Sequence, residues 1–374
     1  KLNAGELALS TEQGVFGTFL SYSAEHDILI QSARASRDML ANEPSNRINT
    51  YQGKDGKPIW DKSQGYSGPC LIVDKEILTQ NVGFSLFDGS SKLRLDTITN
   101  ERVGWGFVRN YGCATAIGSK NLLTFRSGSA GYFDLTNDSG TGNFGGFRAG
   151  CSSNLIIADG VLSIPDYTRG CTCSYQNQTS LALVNQPDVE TWTFTSSKWT
   201  RQPISRLGIN LGAPGDRLSD SKTMWIEHPV VGGPSQDIPI KSTPENITWF
   251  RQHSSFIQDT ELPWVGASGA KGINTLSIAT GNGANNEILY TVRLIFCEPD
   301  DTKPNERAMD IFLQGKIMIE GVDVVKEAKG KNKVLIKELK NVRSVGEIIV
   351  ELKSSAKATK KETILSGVEI ISER

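Results

Sequence analysis

The side chains with the most chemical potential in this chain are six cysteines, Cys70, Cys113, Cys151, Cys171, Cys173 and Cys297, and three histidines, His26, His228 and His253. A zinc site needs CxxC pairs or nearby imidazoles. Cys171 and Cys173 are spaced CxC, too tight for a usual zinc knuckle, and no histidine is close to them in sequence. Cys113, Cys151, Cys171 and Cys173 instead cluster in Gly-rich sequence, and the expectation is at least one disulfide among them. That places the chain in an oxidising compartment. Buried free thiols, or a metal or haem site, are the alternatives, and four cysteines leave the pairing open.

Catalytic signatures are missing. Gly128-Ser129-Ala130-Gly131 has no supporting His and Asp in nucleophile-elbow order. There is no P-loop and no HExxH, and Gly142-Asn143-Phe144-Gly145-Gly146 has no βαβ unit around it to make a dinucleotide fingerprint. The adjacent acids Asp300 and Asp301 read as a solvated turn. Calcium would suit such an oxygen-rich loop, but no ligand spacing repeats, so no metal site is expected. What remains are rings: Trp225, Trp249 and Trp264 with His253 on the early loops of the second half. An exposed indole can stack on a sugar face, and the competing reading is core packing.

The elements that must position these residues are strands. The 374 residues carry 40 Lys+Arg against 41 Asp+Glu, a net charge of −1, which excludes a strongly basic nucleic-acid binder. Thirty-seven Gly and 14 Pro suit a turn-rich, all-β chain. No apolar run reaches the roughly 18 residues that a membrane span requires. The chain starts at Lys1 without a Met or a signal peptide, as if cut from a longer precursor.

Four hairpin units recur in the first half. They are HDILIQ with INTYQGKDGKPIWD, CLIVDKEILTQ with FSLFDGSSKLRL, CATAIGSKNLLTFRS with GYFDLTNDSG, and SNLIIADGVLSIPD with SLALVNQPDVETWTF. Their anchors Tyr51, Leu86, Phe133 and Ala182 lie roughly 35–50 residues apart, and a four-stranded repeat of about 40–45 residues marks a propeller blade. In the first unit Gly56 supplies a positive-φ turn, and Trp60 is placed to cover a neighbouring sheet edge. The TYQGKDGKPIWD segment resembles the repeat of quinoprotein-type (PQQ-like) propellers. RNYGC, NLLTFRSGSAGYFDL, TGNFGGFRAGC and CTCSYQNQTSLAL resemble the closing part of such propellers in large exported bacterial proteins.

From Pro203 the pattern changes to regular strands between polar turns, the mark of an antiparallel sandwich or jelly roll. Tyr290, Val292, Leu294 and Phe296 alternate with Thr291, Arg293 and Ile295, so the first set is expected in the core. INLG, YTVRLIFCEPD, MDIFLQGK, GVDVVKEA and LSGVEI run in an order that is similar to the malectin-like family of carbohydrate-binding sandwiches. That family carries aromatic residues directly after the F-A-E of this strand. Here Phe296-Cys297-Glu298 is followed by Pro299-Asp300-Asp301, and Ala358-Thr359-Lys360-Lys361 replaces the aromatic-plus-Asp segment near the family's C-terminal end.

The resulting expectation is an all-β chain: residues 1–200 a partial PQQ-like β-propeller of about four blades, and residues 204–374 a malectin-like β-sandwich. An open sheet edge after four blades implies that further blades lie upstream or on a partner chain. The resemblance implies an exported protein, periplasmic or extracellular, serving as a non-catalytic recognition module. Carbohydrate is its most favoured partner, the propeller a rigid interaction platform, and no cofactor is expected. The alternatives are an assembly subunit of a larger complex and, less favoured, a PQQ-dependent dehydrogenase; CxC replaces the adjacent-cysteine pair of active quinoproteins.

Overall fold

The computed structural model describes residues 18–33, 47–64, 69–79, 82–112, 115–148, 155–165, 180–186, 189–195, 199–231, 235–258, 260–283 and 286–374. Among them strands dominate, with only two short α-helices, Pro263–Gly266 and Val324–Ala328. The contacts divide the chain into two compact units. One comprises residues 1–94 and 102–189, the other residues 95–101 and 190–374.

The first unit is built from local hairpins. Thr18–Ser23, Ile28–Ala33, Arg47–Gln52 and Pro58–Ser63 form one antiparallel meander in chain order. Gly56 turns it with φ 71°, as its place in the turn requires. The Trp60 indole nitrogen donates to the Leu86 carbonyl at 3.0 Å. Its ring lies where a side chain on Gly89 would sit, the ring atom Cδ2 being 2.7 Å from an ideal Cβ position. Trp60 thus covers the next hairpin, as expected. Further antiparallel sheets hold Leu71–Val73, Glu76–Leu78 and Gly83–Ser85, then Leu122–Ser127 and Ser129–Asp134, then Ile156–Ala158, Val161–Ile164 and Leu181–Val184. Their apolar side chains gather in separate small clusters, such as Ile30, Ile48, Ile77 and Leu86 in one and Trp105, Phe107, Phe125 and Phe133 in another.

The second unit is a two-layer sandwich. One layer has six strands in the order Arg217–Leu218, Met224–His228, Arg206–Leu211, Gly367–Ser372, Ile288–Cys297, Val334–Ser344. The other has five, in the order Ile240–Thr243, Thr275–Ala279, Glu347–Ser354, Met309–Leu313, Lys316–Val322. Their facing side chains form one continuous core containing Leu207, Ile209, Leu294, Phe296, Ile311 and Val350. Ile98 belongs to this core too, although it lies about a hundred residues before the sandwich strands begin. Its carbonyl accepts from Ser205 N at 2.7 Å and Arg206 N at 3.0 Å, which is why residues 95–101 join the second unit.

Tyr290, Val292, Leu294 and Phe296 are all fully buried, as the alternation predicts. Ile295 is fully buried as well, on the opposite face. It packs against Trp225, Trp264 and Val265, because the Pro263–Gly266 helix covers that part of the outer surface. Cys70 and Cys297 are free and buried, and burial pushes each thiol up to about 12, so neither is a reactive thiolate. The four disulfide candidates, Cys113, Cys151, Cys171 and Cys173, lie outside the described residues.

Candidate binding cleft

Of the four rings expected to meet a sugar, two are interior. Trp225 is 1% exposed and Trp264 5%. They meet edge to face at 5.7 Å, and Trp264 meets Trp192 in the same way at 6.2 Å. Trp225 fits only because position 208 is glycine: an ideal Cβ there would lie 2.1 Å from the ring. These two indoles build a wall and offer no face to solvent. Trp249 is half-buried, with its ring 6.0 Å from that of His228 at 77°. His253 is exposed, and its Nδ1 caps the Ser254–Phe256 turn by accepting from Ser255 N. The four residues therefore do not converge on one surface: Trp225 and Trp264 meet, while Trp249 and His253 have separate partners.

Cross-strand register explains what does converge. On the outer face of the six-stranded layer, Arg217 faces Trp225, Trp225 faces Gly208, Gly208 faces Glu369, Glu369 faces Arg293, and Arg293 faces Glu338. This is one transverse row, a single residue from each strand. At one end Arg217 lies over the Trp264 ring at 5.1 Å and the aromatic wall closes the surface. At the other end the row is charged. The Arg293 guanidinium donates through Nε to Glu338 at 2.8 Å and through Nη1 to Glu369 at 3.3 Å. Glu369, only 2% exposed, also accepts from the Thr223 hydroxyl. Cross-strand pairs of opposite charge are stabilising, and the two acids fix the guanidinium in place. The hydrogen bond from Arg293 holds Glu338 below the usual carboxylate range, and Glu338 in turn raises Arg293.

Two loops raise lips around this charged end. The Ser219–Thr223 turn is closed by Thr223 N donating to the Ser219 hydroxyl at 3.1 Å and Ser219 N donating to the Thr223 carbonyl at 2.9 Å. It presents Ser219, Asp220 and Ser221. Opposite, Thr260 Oγ1 accepts from Leu262 N at 3.1 Å just before Pro263 starts the helix, which sets Glu261 and Leu262 on the second lip. With Ile336 and Glu338 on the far strand, these groups line an open cleft of about 770 Å³. Its lining contains carboxylates, hydroxyls, one immobilised guanidinium and two aliphatic side chains, with neither Cys nor His. Such a surface can hydrogen-bond a polyol and seat an apolar ring face.

Sequence reasoning missed this cleft because it treated Arg293 simply as an outward residue. The available signal was an arginine in the middle of an apolar strand, with Glu338 and Glu369 on other strands of the same domain.

The end of the sandwich where the resemblance leads one to look for an aromatic platform carries an ion-pair network instead. Arg307 and Glu298 are 4% and 0% exposed and approach to 3.2 Å. Lys271 reaches Asp300 at 2.6 Å and lies over the Phe250 ring at 5.6 Å, and Lys331 pairs with Asp301 at 2.8 Å. Burial raises Glu298, only partly offset by Arg307. Burial also acts to raise Asp300, but the hydrogen bond and charge of Lys271 outweigh it and hold Asp300 low. Asp300 and Asp301 are thus committed to lysines. Among the described residues, no group of three or more His, Cys, Asp or Glu gathers to hold a metal ion, and no helix is long and apolar enough to cross a membrane.

Against known families, residues 283–370 match the Malectin domain. No curated protein matches the chain. Among solved structures, Bacteroides uniformis β-glucuronidase shares 16% identity, with 45% of this chain and 18% of that one covered, at a TM-score of 0.36. The Arabidopsis thaliana ANXUR2 extracellular domain shares 18% identity over 44% of this chain and 48% of that one, at 0.35. Bacteroides uniformis β-glucuronidase 2, covalently bound to cyclophellitol-6-carboxylate aziridine, shares 11% identity over 94% of this chain and 30% of that one, at 0.37. The chain therefore spans less than half the length of each of these structures.

Proposed function

We propose that the chain is a non-catalytic recognition module of an exported protein and that its sandwich binds carbohydrate in the cleft on the outer face of the six-stranded layer. The observation that carries this reading is the transverse row. It places the Arg293 guanidinium and the carboxylates of Glu338 and Glu369 at fixed positions between lips that carry hydroxyls, in a domain whose strands include the Malectin match. Pre-positioned polar groups lower the entropic cost of ordering a site around a polyol. Trp249, half-buried on another surface, is the alternative platform within the same function. The reading is tested by glycan-array screening of the whole chain followed by calorimetry. Binding that is lost in Glu338→Ala and retained in Trp249→Ala supports the cleft. The reverse pattern moves the site to Trp249, and absence of binding to any glycan rejects the function.

For the first unit we propose the role of a rigid interaction platform of PQQ-like propeller type. Its support is the run of consecutive antiparallel meanders in chain order and the resemblance of the first repeat. A second reading, assembly into a larger complex, draws on the outermost strand Thr18–Ser23, where Leu20 and Tyr22 are 61% and 53% exposed. Stable co-purification of a partner, abolished by Leu20→Lys, supports assembly. A rise in thermal stability on adding PQQ with Ca²⁺ would instead favour the quinoprotein reading.

A further inference from the structure

The Gly-rich stretch of the first unit buries a positive charge without an acid to balance it. Arg126, near the end of Leu122–Ser127, is 2% exposed. A guanidinium stays protonated in proteins. Its Nε donates to the Gly128 carbonyl at 3.1 Å, and the Tyr111 ring centre lies 4.9 Å from its central carbon. Nη1 is buried without an acceptor, and among the described residues Nη2 has none and Arg126 forms no ion pair. The surrounding sequence is poor in acids: neither 102–133 nor 139–158 contains an Asp or Glu. Further cations lie close by in the fold. Arg109 donates through Nε to the Arg126 carbonyl at 2.6 Å and lies over the Phe125 ring at 5.7 Å. Ala130, the cross-strand partner of Arg126, donates through N to the Phe147 carbonyl at 2.8 Å, and the next residue, Arg148, is again 2% exposed.

The backbone around Arg126 is fastened for close approach. Gly128 N donates to the Tyr111 carbonyl at 2.7 Å, and Asn110 N donates to the Ser127 hydroxyl at 2.9 Å. Gly112 has no space for a side chain, since an ideal Cβ would lie 2.3 Å from the Arg126 carbonyl oxygen and 2.5 Å from Arg109 Nη2. We propose that Arg126 is the centre of an oxyanion-binding site that takes a carboxylate or phosphate group on its Nη donors. One carbonyl and one ring replace only part of the hydration that a buried guanidinium gives up. An oxyanion restores both the hydrogen bonds and the charge balance, through the paired N–H donors that distinguish arginine from lysine. Tyr111 is itself 64% exposed, so the guanidinium lies one ring beneath the surface and within reach of a small ion or the anionic end of a larger ligand. This site belongs to the first unit and is independent of the carbohydrate reading.

The test is differential scanning calorimetry of the full chain in chloride buffer, titrated with inorganic phosphate and separately with acetate at constant ionic strength. The first unit's transition should rise by about 5 °C between an anion concentration far below its Kd and one about a hundredfold above it. The second unit's transition should stay in place. A rise with phosphate alone assigns a tetrahedral ligand group, and a rise with acetate assigns a carboxylate. Arg126→Met should abolish the rise. Arg126→Lys, which keeps the charge but loses the paired donors, should weaken binding by about tenfold, and it tests the site even if the methionine chain fails to fold. A first unit that responds to neither ion overturns the proposal. So does an equal rise in both units, which would be a general salt effect, or a rise undiminished in either variant.

Discussion

The two units use the same strand chemistry to opposite ends. In the first, strands pair mostly with their neighbours in sequence, and the apolar residues collect in separate clusters. In the second, Arg206–Leu211 lies between Met224–His228 and Gly367–Ser372, so the centre of the main sheet joins the start of the sandwich to its last strand. One continuous core results. Local pairing makes a modular structure. Long-range pairing makes a single cooperative one, and it can bring Arg293, Glu338 and Glu369 into one row from three distant segments.

Truncation before Gly367 should have the largest effect that separates the two designs. It removes the strand between Arg206–Leu211 and Ile288–Cys297, and the expected result is loss of the second unit's cooperative unfolding transition. Limited proteolysis should then spare fragments of the first unit only; a protected sandwich fragment would show that the central strand is dispensable.

Single core truncations are next. Leu294→Ala should cost about 2–5 kcal/mol in the second unit's transition, measured by urea denaturation. Ile77→Ala should lower only the transition of the first. If Ile77→Ala shifts both equally, the modular contrast is wrong.

Removing the nearest partner of the buried Arg307, Glu298→Ala, leaves it only Asp300 at 3.5 Å and Glu362 at 4.0 Å and should cost up to about 3 kcal/mol. Replacing both together, Glu298→Leu with Arg307→Met, should recover most of that loss. Equal damage from the single and the double change would mean that the network contributes through packing and not through charge.

A smaller effect is a pH dependence located in the sandwich. Burial lowers His228 from 6.5 to about 4, so the native state binds this proton more weakly than the unfolded chain does. The stabilisation is therefore complete above pH 6.5 and is lost as the pH falls toward 4. In His228→Gln that slope should flatten, which stability measurements between pH 7 and 4 will resolve. An unchanged slope assigns it to other groups.

Much of this architecture was legible in the residues. Period-two alternation located the long sandwich strand, whose observed span is Ile288–Cys297, and its inward set Tyr290 to Phe296. Turn chemistry predicted the positive φ of Gly56, and the ring of Trp60 covers a neighbouring hairpin. The failures share one physical cause: alternation assigns a face but does not say what lies on it. Ile295 was expected to face outward and is buried, because a four-residue helix some thirty residues earlier in sequence covers it. Trp225 looked like a sugar platform and is a wall, because Gly208 on the adjacent strand leaves space for its ring. The row of Arg293, Glu369 and Glu338 depends on register between strands, and register is set by pairing that no single strand's sequence displays.

Hydrogen exchange with and without a bound oligosaccharide tests the cleft most directly. Residues 219–223, 260–262 and 336–338 should become protected on saturation with a neutral sugar, while the segment around Trp249 and His253 exchanges as before. Protection confined to Trp249 and His253, with the two lips unchanged, would contradict the assignment of carbohydrate to the six-stranded face.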